Sequence, residues 1–123
     1  MQVIKNKQLI DNHWTYVADD APLASGNICV SLARWQNEKN QLIAHEGNLG
    51  VRIAPAEDVN QLVEDLPKLA LIELAISDFA DGRSFSQAYL LRHRHAYQGE
   101  IRAVGNYLAD QAFYFSRVGV NAF

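Results

Sequence analysis

A single cysteine, Cys29, stands in this chain of 123 residues. Its isolation excludes an intrachain disulfide framework, a CxxC redox pair and a four-thiolate cluster built from this chain alone. It also fits a reducing, cytoplasmic setting. Long apolar runs are missing too: no stretch approaches the roughly 18 apolar residues of a membrane helix. The opening segment MQVIKNKQLIDN holds no apolar signal core. No membrane association is expected. Basic clusters are absent as well, because 11 Lys and Arg are scattered among 14 Asp and Glu for a net charge of -3 and a pI near 5.7. Nucleic acid is therefore not an expected partner.

Against these absences stands an apolar content of 49%, enough for one domain over residues 1–123 with a core of its own. Residues 1–27 read as β segments and a connector, and residues 28–123 as a repetitive body. Val3-Ile4 and Leu9-Ile10, separated by Lys5-Asn6-Lys7, predict a hairpin, and Trp14 to Val17 a further β segment. Ile28 to Val30 predicts a strand, followed by a helix from Leu32 to about His45 with Ser31 as its N-cap. Leu49 to Ala54 is the next strand. Pro55 is expected to open a helix on which Val59, Leu62, Val63 and Leu66 follow the i, i+3, i+4, i+7 pattern. Leu69 to Ile76, a helix over 84–94, Glu100 to Val104 and a helix over 107–118 complete the series, with Val120 to Phe123 an extended stub.

Four consecutive βα units without a Gly-rich dinucleotide loop suit a doubly wound sheet or half of a (β/α)8 barrel. A short internal repeat favours the half-barrel. GVRIAP at Gly50 to Pro55 and EIRAVG at Glu100 to Gly105 each place an arginine in mid-strand, on the second and fourth strands, and alternate strands share a layer in a barrel.

Strand alternation turns this into a site. If Ile28, Val30, Val51, Ile53, Ile72, Leu74, Ile76, Ile101 and Ala103 pack under the helices, the opposite face carries Cys29, Arg52, Glu73 and Arg102. Charges on an inner sheet face need partners or water, because desolvating each ion costs several kcal/mol. Two arrangements meet that need: an Arg-Glu-Arg network sealing a core or a subunit interface, or a pocket in which Arg52 and Arg102 receive an oxyanion. Beyond the carboxyl end of the third strand runs the polar loop Asp78 to Ser84. Asp81-Gly82 suits a tight turn and Ser84 a helix cap. On the functional reading, Arg83 and Ser84 join the anion donors, and Asp78, Asp81 and Glu73 are the candidate catalytic carboxylates.

His93 and His95, at i, i+2 on a helix, diverge rather than converge on a metal. His13 and His45 have no ligand-spaced partner, so no metal site is expected. Phe113 faces away from the stripe of Leu108, Ala112, Phe115 and Val118, and on the preceding helix Leu90 is displaced from Phe85, Ala88, Tyr89 and Ala96. Such residues, together with open sheet edges, lead to the expectation of a homo-oligomer or a heteromeric complex.

The tract FADGRSFSQAYLLRHRHAYQGEIRAVGNYLADQAFYFSRVGVNAF, Phe79 to Phe123, together with LARWQ at Leu32 and GVRIAP at Gly50, resembles a bacterial family of uncharacterised proteins associated with assimilatory sulfite reduction. The resemblance implies a probable oxidoreductase or an accessory protein in that pathway, with sulfite reductase as a possible partner, and it transfers no catalytic residue. Neither a cofactor fingerprint nor a thiol pair is present to hold electrons. No cofactor is expected. The chain thus reads as an accessory subunit, with a small anion-binding protein or enzyme, or a purely structural oligomeric α/β domain, as the alternatives.

Overall fold

The structure is a computed structural model that describes residues 2–77, 82–105, 107 and 109–123. Two short strands, β1 (Gln2–Lys5) and β2 (Gln8–Asp11), form the expected antiparallel hairpin. Its two-residue turn puts Asn6 and Lys7 at positive φ, 50° and 67°, the geometry whose twist matches the flanking strands.

Five parallel strands follow: β3 (Trp14–Tyr16), β4 (Asn27–Ser31), β5 (Leu49–Ile53), β6 (Leu71–Ile76) and β7 (Glu100–Gly105), paired in that order. They curl into a half-barrel. The four anticipated βα units are β4 to β7 with the helices after them, and β3 extends the sheet on the β4 edge. On the other edge, residues 120–123 are the expected extended stub. Ala103 N–H donates to Ala122 O and Ala122 N–H to Ile101 O, while Ile4 and Phe123 exchange both backbone hydrogen bonds. The sheet therefore continues from β7 through residues 120–123 onto the hairpin. The chain passes straight from β2 to β3, so one covalent segment links the two margins of the curl.

Helix α1 (Leu32–Ile43) starts as its sequence dictates, with the Ser31 hydroxyl accepting from Arg34 N–H. The second helix departs from expectation. Pro55 sits in a turn closed by Glu57 N–H on Ala54 O, and the helix begins after Asp58, whose carboxylate accepts from Asn60 N–H. It is a 3-10 helix, Val59–Lys68. With three residues per turn, Val59, Leu62 and Asp65 align on the buried side and Val63 is left exposed. The expected helix over 84–94 is two pieces, α2 (Arg83–Tyr89) and a π-helical turn (Leu90–Arg94). The buried stripe runs through Ser84, Ala88 and Leu91, while Tyr89, the last residue of α2, is 54% exposed. Helix α3 (Ala109–Val118) turns Phe115 inward and Phe113 outward, as its pattern predicts.

The main core lies between the convex face of the sheet and these helices. Ile28, Val30, Val51, Ile53, Ile72, Leu74 and Ile101 meet Trp35, Leu42, Leu62, Leu91 and Phe115 there. Strand parity is as the alternation requires, which leaves the opposite, concave face to the polar row.

Candidate functional site

Register builds the concave face in two rows. Parallel pairing sets Ser31 opposite Arg52, Arg52 opposite Glu73 and Glu73 opposite Arg102; one step back it aligns Tyr16, Cys29, Gly50, Leu71 and Glu100. Side chains two residues apart on a strand share a face, so both rows look into the curl. The arginines of the internal repeat occupy one row.

Their partners differ. Arg52 Nε donates to Glu73 Oε1 at 2.9 Å, and its Cζ sits 3.7 Å from the centroid of the Tyr16 ring. Among the described residues its two terminal nitrogens have no partner. Arg102, 3% exposed, pairs instead with Glu100 on its own strand, Nε and Nη2 both reaching Oε2 at 2.8 and 2.6 Å. Its Nη1 donates to Asn12 Oδ1 at 2.9 Å, and Lys5 Nζ reaches the other Glu100 oxygen at 3.0 Å. The charges thus form two separate units: an Arg52–Glu73 pair open on one side, and an Arg102–Glu100–Lys5 cluster that fastens the N-terminal segment to β7.

Glu73 also accepts from the Cys29 thiol, Sγ to Oε1 at 3.2 Å. Burial, reinforced by the Glu73 carboxylate, pushes that thiol well above its ordinary pKa. Cys29 is consequently a protonated hydrogen-bond donor and not a thiolate. Burial likewise raises the Tyr16 phenol, a shift that Arg52 opposes.

Arg52, Glu73, Arg102 and Cys29 line a cavity of about 520 Å³ whose wall also takes in Trp14, Tyr16, Tyr107 and Phe123, the apolar Val3, Ala103 and Val104, and the amides of Gln2 and Asn12. The aromatic wall and the Asn12 and Glu100 contacts escaped the sequence reading. A usable signal did exist: in Trp14-Thr15-Tyr16, alternation alone puts both large rings on one face.

The polar loop contributes differently. Asp78 and Asp81 lie outside the described residues. Ser84 does not cap its helix, because Gly82 occupies the N-cap position; Ser84 is instead fully buried, its hydroxyl without a hydrogen-bond partner among the described residues. Nearby, Gln87 Nε2 donates to Ala54 O at 2.8 Å and to Glu57 O at 2.9 Å, tying α2 to the carboxyl end of β5. Arg83 is exposed at the start of α2. Neither Arg83 nor Ser84 borders the concave cavity.

Among the described residues no group of three His, Cys, Asp or Glu side chains could hold a metal ion. His45 contacts Gly26 O at 2.8 Å and His95 contacts Asn60 Oδ1 at 3.2 Å, each a local tie. No described helix is long and apolar enough to cross a membrane.

No curated protein and no solved structure matches the chain. The sequence model of a bacterial protein family of unknown function, DUF934, matches residues 50–123, which takes in both repeat arginines, Glu73, the polar loop and the following tract, while LARWQ at Leu32 falls before it. The chain belongs to that family.

Proposed function

We propose that this protein is a small anion-binding accessory protein of assimilatory sulfite reduction, with the concave cavity as its binding site. One observation carries the anion reading: Arg52 enters the cavity held by Glu73 and Tyr16, with both terminal nitrogens unpaired among the described residues. A guanidinium fixed through Nε offers its remaining fork to an oxyanion at little entropic cost. In this reading Arg102 adds positive potential and shapes the wall, and Glu73 positions Arg52.

The pathway assignment is supported by the resemblance of the Phe79 to Phe123 tract. Exposed Phe113 and Tyr114 on α3, at 63% and 58%, support association with a second copy or with sulfite reductase in the cytoplasm. Titration calorimetry with sulfite, sulfate and phosphate tests the anion reading. At least one should bind, and Arg52→Ala should weaken it tenfold or more while the protein remains folded; no heat from any of them would remove it. Copurification with sulfite reductase tests the accessory role, which fails if neither binding nor a sulfite-dependent growth defect on deletion is seen.

A further inference from the structure

We infer that the concave cavity takes an organic monoanion with a flat apolar body in preference to a bare inorganic oxyanion. This rests on the reading of Arg52 as an anion ligand and specifies what the anion is attached to.

Size is the first argument. The cavity measures about 520 Å³, within the roughly 300–1,000 Å³ range of pockets that enclose drug-sized ligands. A tetrahedral oxyanion on Arg52 leaves most of that space empty of solute. Wall chemistry is the second. Trp14 and Tyr16 stand on β3 at one margin of the curl, and Tyr107 and Phe123, ring centroids 5.8 Å apart, at the other. Aromatic faces around a few convergent polar groups are the usual surroundings of a planar organic ligand.

Charge sets the third. On the cavity wall Arg52 and Arg102 face the single carboxylate of Glu73, and behind it Lys5 and Glu100 offset each other, leaving one positive charge in excess. One ligand charge neutralises it, and a dianion exceeds it. The unpaired nitrogens of Arg52 place that charge beside Tyr16, with the apolar body extending toward Phe123.

Three probes test this by titration calorimetry on the full chain: 2-naphthalenesulfonate, sulfate and the neutral 2-naphthalenemethanol. Naphthalenesulfonate should bind at least tenfold more tightly than either of the others. Arg52→Gln should weaken it at least tenfold, and Phe123→Ala or Trp14→Ala should weaken it severalfold while changing sulfate affinity less than twofold. Two aromatic variants are used so that one folded protein suffices. If sulfate binds as tightly as naphthalenesulfonate and both aromatic variants are silent, this inference is overturned and the anion reading stands. If Arg52→Gln binds naphthalenesulfonate as well as the parent, the affinity is apolar alone and the inference is again overturned. If neither anion binds, the anion reading itself falls.

Discussion

The guanidinium of Arg52 lies over the ring of Tyr16, Cζ 3.7 Å from the centroid, although the two residues belong to strands separated in the sheet by β4. Tyr16 pairs in register with Cys29, and Arg52 with Ser31 one step farther along β4. The ring thus reaches diagonally over the intervening strand. Together with the Glu73 bond it fixes the plane of the guanidinium, which a lone mid-strand arginine would not hold.

Removing the ring should therefore loosen Arg52 before it harms the fold. A partly exposed cation–π contact contributes about 0.5–1 kcal/mol, and Tyr16 is 40% exposed. Tyr16→Leu should lower stability by about that amount and weaken anion binding severalfold, whereas Tyr16→Phe keeps the ring and should behave as the parent. Thermal melts and calorimetry on the two variants check this. Equal anion affinity in all three proteins would show that the ring does not orient the arginine.

Glu100 should be the most sensitive charged position. It is buried and accepts from Arg102 and Lys5, so neutralising it leaves Arg102 buried beside an amide. Breaking one half of a buried pair typically costs about 3–5 kcal/mol. Glu100→Gln should lose stability on that scale in urea unfolding and should speed amide exchange in residues 2–12, which Lys5 and Asn12 tie to the cluster. Arg102→Met combined with Glu100→Gln should cost less than the sum of the two single changes. Additive losses would show that the two side chains act independently.

The difference between Arg52 and Arg102 also marks where sequence reasoning stops. Placing Cys29, Arg52, Glu73 and Arg102 on one face needed only the period of two within a strand, which tertiary structure cannot change without slipping the whole strand. Ser31 as a cap was equally local. The identity of Arg102's partners was not, since Asn12 lies 90 positions away and meets it only because residues 120–123 carry the hairpin alongside β7. Parallel pairing with β4 at the opposite edge brings β3 and its aromatic rings to the cavity. Val63 was misplaced for another reason. A 3-10 turn changes the angular step per residue, so a pattern read at 3.6 residues per turn assigns the wrong side. Tyr89 lies on a regular helix whose buried stripe runs through Ser84, Ala88 and Leu91, a stripe that opens on a serine and is not apparent from apolar residues alone.

Alkaline stability should decline in two stages. Burial pushes the Cys29 thiol up, with Glu73 adding to it, and burial likewise raises the Tyr97 phenol, whose hydroxyl donates to Leu69 O at 3.0 Å. In the unfolded chain these groups titrate near 8.5 and 10. Above those values the unfolded state has released protons that the folded state still holds. The stabilisation is complete below pH 8 and falls by about 1.4 kcal/mol per pH unit for each group that has titrated only when unfolded. Cys29→Ala should flatten the decline from about pH 8.5, and Tyr97→Phe should flatten it from about pH 10, at a neutral-pH cost of about 0.5–1.5 kcal/mol for the lost hydrogen bond. Urea midpoints measured from pH 7 to 11 check both. Slopes unchanged by the substitutions would mean that these groups titrate alike in the two states.

Ser84 offers a prediction of opposite sign. Among the described residues its buried hydroxyl has no partner, and neither has Oε1 of Gln87, three residues on. A desolvated polar group left unpaired costs about 1–3 kcal/mol, and alanine removes one oxygen without opening a space that matters to packing. Ser84→Ala should therefore raise stability by about 1 kcal/mol, a few degrees in Tm for a chain of this size, and should leave anion affinity in the concave cavity unchanged because Ser84 does not border it. Gln87→Met should behave differently, since it also removes the Nε2 bonds to Ala54 and Glu57, and a net loss is expected. A destabilised Ser84→Ala protein would show that the hydroxyl is satisfied in solution, by a buried water bridging it to Gln87 Oε1 or by a bound ligand. Comparing its stability with and without added sulfite then separates the two, because only a ligand makes the loss depend on concentration.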